Sequence, residues 1–326
     1  MMEIPSFLQP YLVSDAMVRL KGIDMNCGVN MTSFPLFVDT KTTNRFDHSL
    51  FTALCAWHFT KDRNHTLACL FHDIATPVFS HTVDLARGDY MIQEATEMGI
   101  WKILENDPLI RKQLNQDDIR IDDVYDYHQY PVCDNSVPQL CCDRLSYLLT
   151  GMIELGFGTK MEAEKIFADI TVAENEYGRQ ELCFLTPAIA SLFAQRALQC
   201  GIIYSCCFDR YAIEILGELI TEASRKNILS DADLYTTESE VICKLKHSSL
   251  ADAWQGFTDL YGVQLSQIQE DGYRQIRVKK RYVDPYVVNM GRITKIDKSL
   301  YNKIQVFVSD NQSVYINGLY KVRERR

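Results

Sequence analysis

Residues 44–49 (NRFDHS) place Arg45 three positions before His48, one turn apart on a helix. Residues 71–81 (FHDIATPVFSH) set His72 beside Asp73 and then turn at Pro77. Imidazole nitrogens and carboxylate oxygens bind Mn, Fe, Zn, Ni or Mg, and a guanidinium forks onto phosphate oxygens bidentately. A phosphate held by a divalent metal ion is the chemistry these types imply. A fourth ligand comes from residues 139–151 (QLCCDRLSYLLTG), where Asp143 is a carboxylate in an otherwise apolar, helix-like run. Tyr147, four residues on, shares its face, and Arg144 adjoins it. His48, His72, Asp73 and Asp143 are therefore the expected metal ligands. A divalent ion on them would polarise a phosphoryl oxygen and lower the pKa of water towards about 7. Beyond that, phosphate cleavage needs positioning and charge neutralisation, the part expected of Arg45 and Arg144.

The ordered H…HD…D set resembles that of the HD-domain metal-dependent phosphohydrolases. NRFDHSL, HD followed by PVFSH, and DRLSYL look most like the deoxynucleoside triphosphate triphosphohydrolase (dNTPase) branch, over roughly residues 18–222. An HD dipeptide alone occurs by chance in many chains, whereas the ordered set with these flanks is specific. The resemblance implies a nucleotide substrate cleaved to nucleoside and triphosphate, with a divalent metal as cofactor. It supports His81 as the donor of a proton to the leaving oxygen, and Glu94 is expected to orient or tune that histidine, as a carboxylate does for imidazole. It also implies phosphate contacts from Arg45 and Arg144, a sugar-phosphate contact from Tyr147, and triphosphate and sugar contacts from Arg196 and Tyr204. The chain departs from the pattern where the branch has HDLGHGPFSH and a later His-Glu pair. Ala75, Thr76 and Gln93 stand there, so two catalytic histidines of the family are replaced. A nucleotide monophosphatase, a phosphodiesterase and an HD module that binds nucleotide without turnover are the alternatives. No Gly-Tyr-Pro follows the dyad, which speaks against a cyclic dinucleotide phosphodiesterase.

These residues need helices to hold them. Apolar positions at Phe46, Leu50, Phe51, Leu54 and Trp57 recur at helical spacing across 44–59, and a second helix over 64–73 ends at the dyad. Adjacent helix residues diverge by about 100°, so His72 and Asp73 reach one ion together only at a helix end. Helices are expected over 89–106, stopped by Asn106-Asp107-Pro108, and over 139–155, 161–168, 187–224, 230–246 and 249–261. A β-hairpin turning at Tyr177-Gly178 is expected within 170–183. The fold class is mainly α, an HD-domain helical bundle over residues 1–261. After Gly262 a period-two pattern (Tyr273, Ile276, Val278; Tyr282, Val283; Val287, Val288; IQVFVS at 304–309; VYING at 314–318) predicts a small, basic, β-containing subdomain over 262–326.

Composition bounds the rest. A chain of 326 residues with 47% apolar content has a sizeable core. No basic-then-apolar leader opens it and no run approaches about 18 uncharged apolar residues, so neither secretion nor a membrane partner is expected. Eleven cysteines in mostly apolar runs read as reduced core thiols of a cytoplasmic protein. Net charge is −9, with 13 Lys and Arg against 6 Asp and Glu after residue 261, which leaves −16 for residues 1–261. That body is a poor nucleic-acid surface. The basic run RVKKRY (277–282) reads as a charged strand edge rather than an anion contact, the acidic 107–138 stretch as solvated loop, and His128 within it as a histidine without partners. A homo-oligomer is the expected assembly.

Overall fold

Ser14 caps a short helix α1 (Asp15–Arg19) by accepting from the Met17 amide, and this leads into the helix pair that carries the histidines. The structure, a computed structural model, describes residues 3–38, 40, 42–80, 82–83, 94–276, 280–310 and 314–321, without the side chains of 94–98. Helix α2 (Arg45–Thr60) starts where the Asn44 side chain accepts from the Asp47 amide at 2.9 Å, and it ends at Lys61, whose φ of 55° is left-handed. Its buried face carries Phe46, Ala53, Cys55 and Ala56 together with His48 and Ser49. Asp62 caps α3 (Arg63–Phe71) through the His65 amide at 2.9 Å, and the short link lets α3 pack along α2. α3 stops at Phe71, so His72 and Asp73 stand at a helix end.

Helix α4 (Glu94–Asn106) stops as expected, but the same residues also begin α5 (Pro108–Gln116). Asp107 accepts from the Leu109 and Ile110 amides at 3.0 Å each, and Pro108 sits in the first turn, where its missing N–H costs nothing. α6 (Cys142–Glu154) packs against α2, and α7 (Lys160–Ala168) opens with a Thr159–Glu162 capping box. Strands β1 (Ile170–Glu174) and β2 (Gln180–Phe184) form the expected hairpin, with Ile170 opposite Phe184. The long stretch expected over 187–224 is two helices, α8 (Pro187–Ile203) and α9 (Cys207–Arg225). α10 (Glu238–Lys246), α11 (Ala251–Thr258) and β3 (Leu260–Ser266) follow.

The C-terminal pattern is only partly sheet. Strand β4 (Tyr286–Val287) joins β2 in parallel, β5 (Gly291–Arg292) pairs with β4, and after α12 (Ile293–Ile296) and α13 (Lys298–Ser309) the last strand, β6 (Tyr315–Tyr320), pairs antiparallel with β3. Residues 304–309, expected as a strand, are therefore helical. Asp297 caps α13 through the Leu300 amide at 2.9 Å, and Leu300 and Ile304 are buried one turn apart. Local capping and burial at helical spacing outweigh the strand preference of Val306 and Val308, which are exposed.

Two apolar cores result. One gathers α2, α3, α6 and α8 with Val283, Val287, Leu300 and Ile304; the other gathers α9, α10 and α11 with Phe34, Val78, Phe79, Ile276 and Ile316. Residues beyond 262 thus contribute to both cores. Arg292 fixes them to the hairpin, its Nη1 and Nη2 meeting the buried Glu181 carboxylate at 2.6 and 2.8 Å. Residues 74–79 and 200–211 each pass from one core to the other. The dyad lies at the start of the first.

Candidate metal centre

His48 from α2, His72 and Asp73 from the end of α3, and Asp143 from the first turn of α6 converge. His48 Nε2 lies 3.2 Å from His72 Nε2, 3.0 Å from Asp143 Oδ1 and 3.6 Å from Asp73 Oδ2. His72 Nε2 lies 3.5 Å from Asp143 Oδ1 and 3.6 Å from Asp73 Oδ2. Donors about 2.1 Å from one ion stand about 3.0 Å apart along an octahedral edge and about 3.4 Å along a tetrahedral one, so this spacing matches the donor shell of a divalent ion. Two imidazole lone pairs facing each other at 3.2 Å also require a proton or a cation near them. The donor set therefore fits a metal.

Hydrogen bonds on the far side of each ring prepare the nitrogens. His72 Nδ1 donates to the Cys69 carbonyl at 2.7 Å, which leaves its Nε2 lone pair free. His48 Nδ1 lies 3.1 Å from Ser146 Oγ, and that hydroxyl spends its own proton on the His48 carbonyl at 3.4 Å, so it accepts from the ring. Asp73 is held on both oxygens: Thr76 donates to Oδ1 at 2.9 Å and Arg45 Nη1 to Oδ2 at 2.7 Å. Thr76, which replaces a histidine of the resembled family, is thus an orienting group for a ligand. Arg19 of α1 donates to the carbonyls of Ile74 and Thr76 at 2.9 Å each and so braces the turn after the dyad. Further along, Phe79 and Ser80 take left-handed φ values of 56° and 48°, a strained turn stabilised by burial of Phe79 and by the Arg45 Nε bond to Ser80 Oγ at 3.2 Å.

Electrostatics agree with the geometry. Burial alone would lower the His72 pKa, but Asp73 and Asp143 outweigh it and push it up to about 9. Burial raises Asp143, yet hydrogen bonds from His48 and His72 hold it well below the carboxylate range. Asp73 is likewise held low against burial, first by Arg45. Without a metal, a proton on His72 faces the two carboxylates.

Of the other sequence-predicted residues, Arg45 and Arg144 do not present free guanidinium groups. Arg45 is buried on Asp73 and Ser80. Arg144 Nη1 donates to Asn135 Oδ1 at 2.5 Å, Gln139 O at 3.0 Å and Cys141 Sγ at 3.2 Å, and Nη2 meets Asp134 at 3.2 Å, so it clamps the 134–141 segment onto α6. This also places a cation on the neighbouring Asp134–Cys141–Asp143 group, the second cluster of metal-ligating types. Arg196 lies on Glu162 at 2.8 Å and Gln199 at 3.2 Å, bound to α7 rather than brought to the ligands.

Tyr147 stands one turn after Asp143, its phenol pushed up to about 12 mainly by burial. The Tyr204 hydroxyl rests on Gly151, where an added Cβ would come within 2.1 Å of it. Asp143, Tyr147 and Gly151 thus form one face of α6 with Tyr204 over it. His81 lies outside the described residues, and Glu94 is the first residue of α4, with its side chain outside them. His128 does have partners: its Nδ1 is 3.4 Å from Asp126 and its Nε2 3.7 Å from Asp134, while the neighbouring Tyr127 ring meets His72 edge-on at 5.8 Å between centroids. Ser146, Arg19 and the orienting role of Thr76 were not singled out from the sequence. Ser146 carried a hint in its helical spacing from Asp143, and Arg19 in the Arg19-Leu20…Ile23 pattern, which is similar to a segment of the resembled family ahead of its first histidine.

No protein-family model matches the chain. It is similar to the uncharacterized protein YdhJ of Bacillus subtilis, with 24% identity over 87% of this chain and 85% of that protein. It is also similar to the metal-dependent phosphohydrolase cns2 of Cordyceps militaris, with 25% identity over 57% of this chain and 52% of that protein. Among the described residues no helix is long and apolar enough to cross a membrane.

Proposed function

We propose that the chain is a metal-dependent phosphohydrolase acting on nucleotides, with dNTPase-like cleavage to nucleoside and triphosphate as the specific reaction. The observation that carries the reading is the convergence of His48, His72, Asp73 and Asp143 with donor atoms 3.0–3.6 Å apart. Similarity to a protein named as a metal-dependent phosphohydrolase supports it at the general level. A divalent ion held there would supply Lewis acidity at a phosphoryl oxygen and a more acidic water. Ser146 and the Cys69 carbonyl fix the imidazole tautomers, Arg45 and Thr76 fix Asp73, and Tyr147 offers a ring and a phenol beside the ligands. His81 and Glu94 are the residues proposed to move and tune the proton for the leaving oxygen. A cytoplasmic homo-oligomer is the proposed setting.

Replacement of family histidines at Thr76 and Gln93 favours a second reading, a module that binds nucleotide without turnover. Metal analysis of the purified protein, followed by a nucleotide panel read by chromatography in Mn, Mg and Fe, separates the two. Triphosphate as product supports the first reading; orthophosphate or a linearised nucleotide supports a phosphatase or phosphodiesterase, and binding without product the second. Asp143→Ala is expected to remove the metal, and full occupancy in that variant would refute the ligand set.

A further inference from the structure

A site that takes several phosphates needs a cation not already spent on the protein, and the arginines expected from the sequence are spent. Arg45 is held by Asp73 and Ser80, Arg144 by the 134–141 segment, and Arg196 by Glu162 and Gln199. Arg281 is different. It is half-buried, and its guanidinium makes no hydrogen bond or ion pair among the described residues. In sequence it lies between Ile276, buried in the second core, and Val283, buried in the first. Its carbonyl oxygen is pressed on α8 at Gly201, where an added Cβ would stand 2.5 Å from it, three residues before Tyr204.

The residues around it are committed elsewhere. Lys280 donates to the Phe307 and Asp310 carbonyls, and Val283 is buried in the first core. Arg281 is near enough to Tyr147 and to Asp209 to act on the charge of both. Asp209 does not neutralise it. Burial pushes that carboxyl up to about 8 despite Arg210 and Arg281, which weakens it as a counter-charge.

We propose that Arg281 is a phosphate-binding residue of this site, taking the phosphoryl groups of a nucleoside polyphosphate beyond the one at the His48–His72–Asp73–Asp143 set. The inference rests on the nucleotide phosphohydrolase reading and deepens it. Its planar fork suits two phosphate oxygens at once, and its backbone packs on α8 at Gly201, three residues before Tyr204, with the guanidinium within electrostatic reach of Tyr147, one turn from Asp143.

The test compares the full-length wild type with Arg281→Gln and Arg281→Lys in titration calorimetry on metal-free protein, with inorganic tripolyphosphate and orthophosphate as probes. Arg281→Gln is expected to weaken tripolyphosphate about 10- to 100-fold and orthophosphate much less, with metal content and melting temperature unchanged. Arg281→Lys, which keeps the charge but not the fork, is expected to lose several-fold, and it carries the test if Arg281→Gln does not fold. Unchanged tripolyphosphate affinity in the folded variant overturns the proposal while leaving the phosphohydrolase reading in place. Equal loss for both probes together with lost metal overturns it too, because Arg281 would then only be holding the fold. Absence of tripolyphosphate binding in the wild type overturns both the proposal and the polyphosphate substrate.

Discussion

Ser146→Ala separates a prepared metal site from a fortuitous cluster. The substitution removes one buried hydroxyl, the acceptor 3.1 Å from His48 Nδ1, and leaves all four ligand side chains unchanged. In the metal-free protein the loss is cushioned. The His48 proton can move to Nε2, where Asp143 Oδ1 stands 3.0 Å away to accept it. With a metal on Nε2 the proton must stay on Nδ1, which then points at nothing in a 2% exposed side chain. Leaving that donor unsatisfied costs about 1–3 kcal/mol, and because the cost falls on the metal-bound state it converts to about a 5- to 150-fold loss of metal affinity. The range agrees with the roughly 10- to 100-fold seen when the outer partner of a ligating histidine is removed. Competition with a chelator of known affinity measures it, and melting of the metal-free variant checks the fold. Wild-type metal affinity in Ser146→Ala would refute the reasoning, since His48 would then need no fixed tautomer and the ring would not be serving as a ligand.

Two further outcomes follow from the site. His72 is raised from about 6.5 to about 9 in the metal-free chain, so metal must displace its proton; apparent affinity should climb about tenfold per pH unit over that window and flatten above it. The sign for stability runs the other way: the charged His72 stabilises the metal-free fold fully below about 6.5, and this is lost as pH rises through about 9. The metal-free melting temperature should fall across the window relative to the metal-loaded protein, and parallel curves would contradict it. His81→Ala should leave metal content unchanged while slowing turnover by about 10² to 10⁴, read as kcat beside metal analysis; an unchanged rate would remove His81 from the mechanism.

The four converging side chains were legible because their types are chemically narrow and because helix phase and a helix end decide where they point. His48 falls on the buried face of α2, and α3 stops at Phe71, where its apolar run meets the dyad. Cation roles were not legible, for a physical reason. Spacing shows that Arg144 leaves α6 about 100° from Asp143, but not what lies in that direction, and what lies there is Asn135, Gln139 and Asp134, brought back by a segment without regular spacing. Arg281 fails in the opposite sense. Its basic run reads as a charged strand edge, yet residues 280–285 form no strand, and packing of Val283 in the first core and of the Arg281 carbonyl on Gly201 sets this segment against α8, within electrostatic reach of Tyr147. What an arginine can offer a ligand depends on its protein partners, and those come from other elements for Arg45 and Arg196 and from an irregular neighbouring segment for Arg144. The same reasoning bears on Thr76. By type it offers no imidazole; by position its hydroxyl donates to Asp73 at 2.9 Å and holds that carboxylate in place. The donor set thus stays oriented with a hydroxyl at position 76, and a proton for any leaving group would have to come from another side chain, which is what the His81→Ala assay reads.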